Sequence, residues 1–452
     1  MSSGSDNLRE LAQEVVREAR NAGASEADAL ILEEEAFSVT VRLGEVETLK
    51  ESISRTLRLR VFDGKRTAAS QTSDLTPAVV RQLVAETVEM ARRTSEDPSS
   101  GLPDASLFAS TFPDLELLDP EWDALSPADR IAMARRAEAA AMAADPSIVN
   151  SEGGSFDYSR SRTVLANTFG FLGDYAGTAG SISAVPITQT DGAMQRDYWF
   201  STSRRVSQLE SPEAVGRRAA ERALRRVGAR KVKTCEAAIV FDPLTARGLM
   251  GHLFQAVAGD AIYRRGSFLV DRLGSPVAAP SISVLDNALL KGGLGSSPFD
   301  DEGVPSQTTR VIDRGTLGNY LHSAYTARKL GSRPTGNGAR TGAGSMTVGP
   351  SNFYLEPGTH SPDEIIANTK SGLYVFEMIG SGVNLVNGDY SRGAAGLWIE
   401  NGKLTYPVHE ITISGNLKEM LQSVDMIGND LLFMGNIASP TVRIPRMVIS
   451  GE

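Results

Sequence analysis

Histidine is the residue type in this sequence that most directly suggests chemistry, because imidazole binds zinc and transfers protons near neutral pH. A zinc-peptidase helix of the His-Glu-x-x-His type places two imidazoles on one face, with a glutamate that activates water. The only His-Glu pair is His409-Glu410, and no second histidine completes the motif. The alternating segment 408–414 also predicts a strand, in which these two side chains point to opposite faces. We interpret the pair as structural.

The other three histidines each stand alone. His252 lies in a predicted helix with no second histidine or cysteine within two turns, His322 lies in a predicted strand, and His360 precedes a helix cap. A zinc site needs several ligands, so a single imidazole does not form one. We interpret all three as structural or local hydrogen-bonding residues.

The densest group of carboxylates is Asp300-Asp301-Glu302, directly before Gly303. Carboxylate oxygens suit hard cations, but a calcium loop spreads its ligands at alternating positions, whereas these three are adjacent. We therefore expect Asp300, Asp301 and Glu302 to form a structural turn or to contact a partner or substrate, with a metal as the lesser alternative.

Nucleophile and nucleotide-binding motifs do not occur in the sequence. There is no Gly-x-Ser-x-Gly elbow and no Walker loop. Cys235 is the single cysteine, which excludes an internal disulfide and a multi-cysteine zinc or iron-sulfur site. Because no histidine is near it in sequence, we interpret Cys235 as a structural thiol.

Composition argues against two classes of partner. The 452 residues carry 46 basic and 55 acidic side chains, a formal net charge of −9, which gives no sequence-wide cationic field for a nucleic-acid backbone. No segment approaches the roughly 18 apolar residues of a membrane span. Residues 1–6 contain neither a basic patch nor an apolar stretch, which argues against a secretory signal. We expect a cytoplasmic protein that binds neither nucleic acid nor membrane.

The order of the elements predicts three domains, of which the first is residues 1–104. It begins with a helix and several antiparallel strands, and a second helix starts at Thr76-Pro77. The polar stretch 95–101 is typical of a linker. The strand-like segments are 30–34, 37–42, 45–51 and 56–62.

Residues 105–230 form the predicted central domain. A helix begins at Ser126-Pro127, the segment 148–208 is typical of long antiparallel strands, and a helix over 212–227 closes the domain. That last helix carries five arginines: Arg217, Arg218, Arg222, Arg225 and Arg226. Since the helix dipole favours cations late in a helix and glutamates share this one, we interpret the arginines as a solvated face; a basic groove is the alternative.

Residues 231–452 form the predicted C-terminal domain, which is rich in short strands and turns. An apolar strand at 237–241 precedes a helix that Asp242-Pro243 caps. The apolar stripe of this helix is Leu249, Met250, Leu253, Phe254 and Val257. The fold class that follows is α+β, rich in antiparallel sheets, with helices on the sheets and a strand-rich C-terminal domain.

Several glycine- and aromatic-rich motifs occur in order along this C-terminal region. They are PFDDEG (298–303), YTARKLG (325–331), SGVN through NGDYSRGAAG (381–396), WIENG (398–402), YPVHEITISGNL (406–417) and IGND (427–430). Together they closely resemble the TldE (PmbA) branch of the TldD/TldE metallopeptidase family, which has also been called a modulator of DNA gyrase. The resemblance spans nearly the whole chain, including 42–45 and 102–104.

The resemblance implies a division of labour between two chains. TldD is the zinc peptidase subunit, with a His-Glu-x-x-x-His helix and a later cysteine, and TldE is its partner; together they trim unstructured peptides, including leader peptides of antimicrobial precursors. Registering this chain through Gly259-Asp260 places Met250 and Gln255 at the two histidines and Gly251 at the glutamate. A thioether and an amide are poor zinc ligands beside imidazole, and glycine supplies no base. The cysteine-bearing segment is shortened to 431–436.

The resemblance therefore implies that residues 231–452 form a degenerate metallopeptidase domain. No catalytic residue, metal ligand or cofactor is expected in this chain, and zinc is expected in a TldD-like partner. The implied substrate is an unstructured peptide, which added-strand pairing could bind. The alternatives are a stand-alone peptide-binding or regulatory protein and a metal-independent hydrolase. We also expect self-association, with the choice between homodimer and heterodimer open.

Overall fold

A computed structural model describes residues 2–190, 192–342 and 344–451 of the chain. These residues form ten α-helices and twenty β-strands, arranged in two large sheets, one smaller sheet and one hairpin. The predicted α+β class with antiparallel sheets is confirmed. None of the helices in these ranges is both long and apolar enough to span a membrane.

The first half of the described chain supplies five helices and seven strands. In chain order they are α1 (Ser2–Asn21), β1 (Glu26–Arg42), β2 (Glu45–Asp63), β3 (Arg66–Thr72), α2 (Pro77–Arg93), α3 (Glu121–Ala124), α4 (Pro127–Met142), β4 (Ile148–Asn167), β5 (Leu172–Thr190), β6 (Ala193–Arg196), β7 (Trp199–Ser203) and α5 (Pro212–Leu224). The four strand-like segments predicted between residues 30 and 62 are thus joined into two long strands. The polar run 33–35 stays extended because β1 is hydrogen-bonded on both sides there, by β2 and β4.

The seven strands form one antiparallel sheet in the order β3-β2-β1-β4-β5-β6, and β7 also pairs with β5. β1 is paired with β4 from Asp28 opposite Asn167 to Val41 opposite Gly154. Strands from the first two predicted domains therefore share one sheet.

The side chains of β1 alternate between the two faces of this sheet. Odd-numbered apolar residues, from Ala27 to Val41, contact helices: α1 and α2 cover one end of this face, and α4 and α5 cover the other. Even-numbered Asp28 and Leu30 point to the opposite face, where Leu30 lies in one apolar cluster with Phe299. The C-terminal region therefore packs against that second face.

The rest of the described chain supplies the remaining elements. In chain order they are β8 (Cys235–Phe241), α6 (Pro243–Val257), α7 (Gly259–Tyr263), β9 (Val284–Asn287), β10 (Thr308–Asp313), β11 (Thr316–Leu317), α8 (Ala324–Leu330), β12 (Gly338–Arg340), β13 (Met346–Val348), β14 (Phe353–Leu355), α9 (Pro362–Ala367), β15 (Ser371–Ile379), β16 (Asp389–Glu400), β17 (Lys403–Asn416), α10 (Leu417–Ser423), β18 (Met426–Ile427), β19 (Ile437–Ala438) and β20 (Val442–Ser450).

Five of these strands close into a ring in the order β17-β16-β15-β8-β20, because β20 also pairs with β17. The smaller sheet has the order β11-β10-β9-β14-β19, and β12 and β13 form the hairpin. The largest apolar cluster of the described chain includes residues of the ring, of the smaller sheet and of α6. This cluster fixes the position of α6.

Candidate functional site

The helix α6 carries the three positions matched to a zinc site, and its sequence explains where it begins. The side chain of Asp242 accepts a hydrogen bond from the backbone N–H of Thr245 (2.9 Å), and Pro243 is the first helical residue. The predicted apolar stripe is buried, which confirms its orientation. The accessible residues lie on the other face: Leu244, Arg247, Gly248, Gly251, His252 and Gln255.

The three matched positions do not converge on one point. Met250 is 2% exposed and packs in the apolar cluster, whereas Gln255 is exposed on the other face. Gly251 has no side chain, and a Cβ added there would have no atom within 4 Å. Among the described residues, no group of three or more His, Cys, Asp and Glu side chains is placed to hold a metal ion. The residues at this site therefore do not fit zinc.

The segment 431–436, matched to the cysteine-bearing part of the zinc subunit, lies beside α6. Arg247 donates a hydrogen bond from Nη1 to the backbone oxygen of Met434 (3.4 Å). Met434 is buried, and Leu244 packs in the same apolar cluster. The fold thus brings together the two segments that the sequence comparison linked, but they present apolar side chains and backbone oxygen rather than zinc ligands.

His252 is next to Gly251 on the accessible face of α6. Its ring lies edge-on to Tyr390 with 6.2 Å between centroids, and its Nε2 is buried without a hydrogen-bond partner in the described chain. Burial and the positive charge of Arg392 lower the pKa of His252, so the imidazole is neutral at pH 7. The surrounding residues do not complete a metal site around it.

His322 lies in the irregular segment before α8 rather than in the predicted strand, whereas His360 precedes the cap of α9, as predicted. His322 is 3% exposed, its Nδ1 lies 3.3 Å from Thr326 Oγ1, and burial lowers its pKa to about 4. His360 accepts a hydrogen bond at its backbone oxygen from the N–H of Asn429 (2.7 Å). Neither ring is placed with other ligands.

His409-Glu410 lies in β17, as predicted, but at a bulge rather than in a regular stretch. Glu410 has a φ of 50°, and the register with β16 shifts there. Its carboxylate lies 3.2 Å from Lys231 Nζ, which is a surface ion pair. Cys235 is free at the start of β8, and burial raises the pKa of its thiol, which disfavours a reactive thiolate.

The acidic turn at 300–302 is inside the protein. Asp300 accepts hydrogen bonds from the backbone N–H groups of Glu302, Val304 and Gly338, and Asp301 accepts one from the N–H of Arg340. Burial and the neighbouring Glu302 carboxylate raise the pKa of Asp300 well above its usual value. The predicted turn is observed. Asp300 is only 6% exposed and Glu302 1%, so the chain itself occupies most of the acidic surface that we expected a partner or substrate to contact.

Glu302 links the C-terminal region to the first sheet through buried arginines. Arg60 of β2 donates from Nη1 to Glu302 (3.1 Å) and from Nε to Asp28 of β1 (3.1 Å). Arg340 Nη2 lies 2.7 Å from the other oxygen of Asp28. Burial disfavours the charge on Arg60, but the two carboxylates outweigh this and raise its pKa. This ion network joins the sheet to the C-terminal region.

The helix α8, which contains the YTARKLG motif, binds the predicted linker 95–101. Tyr325 and Lys329 both donate to the carboxylate of Asp97 (2.8 Å each). Arg328 donates from Nη1 to the backbone oxygens of Ser99 and Gly101 (2.9 Å each). The linker is therefore a docking segment for the C-terminal region, which its polar composition did not predict.

The arginines of the predicted helix over 212–227 are not all on a solvated face, and the prediction is wrong for three of the five. Arg222 is 7% exposed, and Arg225 and Arg226 are partly buried; Arg217 and Arg218 are exposed. The reason is a buried acid distant in sequence: Asp197 lies 3.3 Å from Arg222 Nε and 2.9 Å from Arg226 Nε. The helix also ends at Leu224, three residues before its predicted end.

The fold defines a multi-domain α+β chain in which a closed ring of strands shares one apolar cluster with α6. Models of the PmbA/TldA metallopeptidase domains match this chain in order: domain 1 at residues 27–91, the central domain at 120–227 and the C-terminal domain at 234–451. The chain belongs to the PmbA/TldD metallopeptidase family, as its motifs predicted.

Individual relatives match over almost their whole length. Metalloprotease PmbA of Escherichia coli O157:H7 is 38% identical over 94% of this chain and 92% of its own. The PmbA homolog of Haemophilus influenzae is 34% identical over 98% and 96%, respectively. A crystal structure from Bacteroides thetaiotaomicron shares 28% identity and a TM-score of 0.92 over 99% of both chains. TldE from Thermococcus kodakarensis, at 20% identity, shares the fold, with a TM-score of 0.88 over 98% of this chain and 100% of its own.

Proposed function

We propose that this chain is the non-catalytic, TldE-like subunit of a two-chain zinc metallopeptidase that processes unstructured or leader peptides. The observation that carries the proposal is that Met250, Gly251 and Gln255 occupy the positions on α6 that the resemblance matches to the zinc helix, in a chain that has the family fold. A buried thioether, a glycine and an exposed amide supply neither a zinc site nor a general base. In this assembly a TldD-like chain contributes the zinc and the reactive groups.

The relatives support a two-chain assembly. A structural neighbour is named TldE, and a TldD homolog of Buchnera aphidicola is 28% identical over 218 residues, 45% of this chain. The role of this chain is then to hold the partner in an active arrangement and to complete the passage for an extended peptide, whose backbone can pair with strand edges.

Co-expression with a homologue that bears His-Glu-x-x-x-His tests the assembly. We expect the two chains to co-purify from the cytoplasmic fraction, to cleave an unstructured peptide only together, and to lose activity with a chelator. The isolated chain is expected to bind no stoichiometric zinc. Cleavage by the isolated chain in the presence of a chelator would favour a metal-independent hydrolase, and self-association alone would favour a peptide-binding or regulatory protein.

Matched substitutions in the two chains test which chain carries the catalytic groups. Replacing the motif glutamate of the TldD-like chain by glutamine should abolish cleavage, because the general base is lost. Gly251→Ala and Gln255→Ala in this chain should leave cleavage unchanged, since both positions are accessible and Gly251 has room for a methyl group. Loss of activity in Gln255→Ala, with assembly intact, would contradict the proposal.

A further inference from the structure

A cavity of about 680 Å³ opens where α5 meets the start of α6 and the segment 430–432. Three arginines line the cavity: Arg218 and Arg222 of α5, and Arg225, which directly follows α5. Large apolar side chains also line it: Trp199, Ile366, Leu397, Leu404 and Leu432. The cavity therefore combines cationic and apolar surfaces, and it lies next to the candidate site but apart from the three matched positions.

Of the two cavity arginines that are not exposed, Arg222 and Arg225, Arg225 has the weaker pairing. Its side chain is 20% exposed, and its Nε and Nη2 have no hydrogen-bond partner in the described chain. The acid beside it, Asp197, is 3.9 Å from Nη2, which is too far for a hydrogen bond. The guanidinium stacks on Phe376, with 3.8 Å between Cζ and the ring centroid, and this contact uses none of its N–H groups. Burial and the charge of Arg222 lower the pKa of Arg225 to about 10, because together they outweigh the attraction of the more distant Asp197 and Asp242 carboxylates.

Asp197 cannot compensate Arg225 because two other arginines bind it more closely. Arg222 Nε is 3.3 Å from one of its oxygens, and Arg226 Nε is 2.9 Å from the other. Arg226 also reaches Glu377 (2.7 Å), but Arg225 does not share that acid. Of the three guanidinium groups near Asp197, that of Arg225 is thus the one without a close carboxylate.

The other acids of the cavity are engaged elsewhere. Asp242 caps α6 and lies 3.5 Å from Arg222, and Asp430 accepts both the N–H and the O–H of Thr441 (2.9 and 2.7 Å). Glu221 and Asp363 are exposed at the rim. Within the described parts of the chain, no carboxylate is therefore within hydrogen-bond distance of Arg225 Nε or Nη2.

We propose that this cavity is a carboxylate-binding site in which Arg225 is the primary ligand-binding residue. Nε–H and Nη2–H lie on the same edge of the guanidinium, which is the edge that binds a carboxylate through two parallel hydrogen bonds. Both atoms are covered in this structure, so binding includes a rotation of the Arg225 side chain into the cavity that it lines. The rotation breaks no hydrogen bond of Nε or Nη2.

The lining indicates what carries the carboxylate. Apolar walls in the same cavity as a cation suit an extended peptide with an acidic side chain or a free C-terminal carboxylate next to a large apolar residue. Assigning the carboxylate to a peptide rests on the proposed function; the site itself requires no partner chain.

Peptide binding to the full-length chain, without a TldD-like chain, tests the site. Three labelled apolar peptides are compared by fluorescence anisotropy: one with a glutamate and an amidated C-terminus, one with glutamine and a free C-terminus, and one with glutamine and an amidated C-terminus. We expect one of the first two to bind at least about tenfold more tightly than the third, which identifies the source of the carboxylate. Equal affinities for all three, or tighter binding of inorganic phosphate, would overturn the proposal.

Substitutions of arginines on and directly after α5 test whether Arg225 causes the effect. Arg225→Gln should lower the affinity for the preferred peptide by roughly tenfold or more. Arg225→Lys should lower the affinity less, because lysine keeps the charge but not the bidentate hydrogen-bonding geometry. Arg217→Gln is the matched control, since Arg217 is exposed on α5, which directly precedes Arg225. Thermal unfolding verifies that each variant is folded. Unchanged affinity in folded Arg225→Gln contradicts the proposal, whereas failure to find a TldD-like partner leaves this measurement unaffected.

Discussion

Two arginines at junctions with the C-terminal region, Arg60 and Arg225, have opposite surroundings. Arg60 donates from all three of its nitrogens, to Asp28 and to Glu302, and joins the first sheet to the acidic turn. Arg225 has two unpartnered nitrogens and an open cavity beside it. A buried cation with a complete set of acceptors holds elements together, whereas one with an incomplete set leaves room for an anion from outside. The contrast separates a structural cluster from a candidate binding site.

The largest expected effect is at the completely paired arginine. Arg60→Met should lower the free energy of unfolding by about 3 to 5 kcal/mol, because Asp28 and Glu302 would remain buried without their cation. Urea denaturation measures the change. Arg55→Met is the control, since Arg55 lies in an exposed pair with Glu33 and should cost no more than about 1 kcal/mol. Equal, small losses in both variants would show that the network does not stabilise the fold.

Met250 allows the same contrast between packed and open positions within α6. Met250→Ala should cost about 2 to 5 kcal/mol, because it leaves a cavity among the apolar residues around the helix. Gln255→Ala, on the exposed face, should change the free energy of unfolding by no more than about 0.5 kcal/mol. Chemical denaturation of both variants checks the orientation of the helix. A near-zero loss at Met250 would mean that this residue is not packed inside.

The pH dependence of stability tests the surroundings of the acidic turn. His322 precedes Ala324, whose N–H donates to Glu302, and its pKa of about 4 in the folded chain lies below the unfolded value of about 6.5. The unfolded chain therefore binds more protons between these values, so stability is lost as the pH falls from about 6.5 to about 4. As the pH falls through this window, the free energy of unfolding of the wild type should decrease by about 1 to 3 kcal/mol relative to that of His322→Gln. A constant difference across it would contradict the burial of a neutral imidazole.

The smaller effect of the two arginine substitutions is expected at the incompletely paired arginine. Arg225→Met removes a cation whose Nε and Nη2 are unpartnered and keeps its apolar stem, so the free energy of unfolding should change by no more than about 1 kcal/mol. Urea denaturation of Arg225→Met and Arg60→Met under the same conditions compares the two losses in free energy of unfolding. A loss as large as that of Arg60→Met would place Arg225 among the structural arginines and remove the reason to expect a ligand there.

Local sequence signals predicted the helix starts well. The caps at Ser126, Asp242 and Ser361 are all observed, and Ser361 forms the capping box expected with Glu364. These signals act within one turn of helix, so the sequence contains all the information they need. The inward orientation of Met250 followed in the same way from the spacing of the apolar stripe.

The pairing of buried charges could not be predicted from the sequence. Arg60 and Glu302 are 242 positions apart, and no local spacing relates them. Arg222 and Arg226 likewise pair with the buried Asp197, although the composition of the predicted helix that carries them suggested a solvated face. The family motifs located the acidic turn, but only the fold shows that its carboxylates contact the backbone and arginines of the same chain. The cavity beside Arg225 follows from the same long-range pairing.

The sheet that joins β1 to β4 has a consequence for how the chain is made. During synthesis β1 can pair with β2 at once, but its other edge stays open until β4, more than a hundred residues later, has left the ribosome. Such long-range pairing slows folding, and an open strand edge invites association with other chains. A fragment that ends near residue 104 would keep that edge permanently, so we expect it to aggregate unless a peptide copy of β4 is supplied. The units that family models recognise along the sequence are thus smaller than the unit that folds.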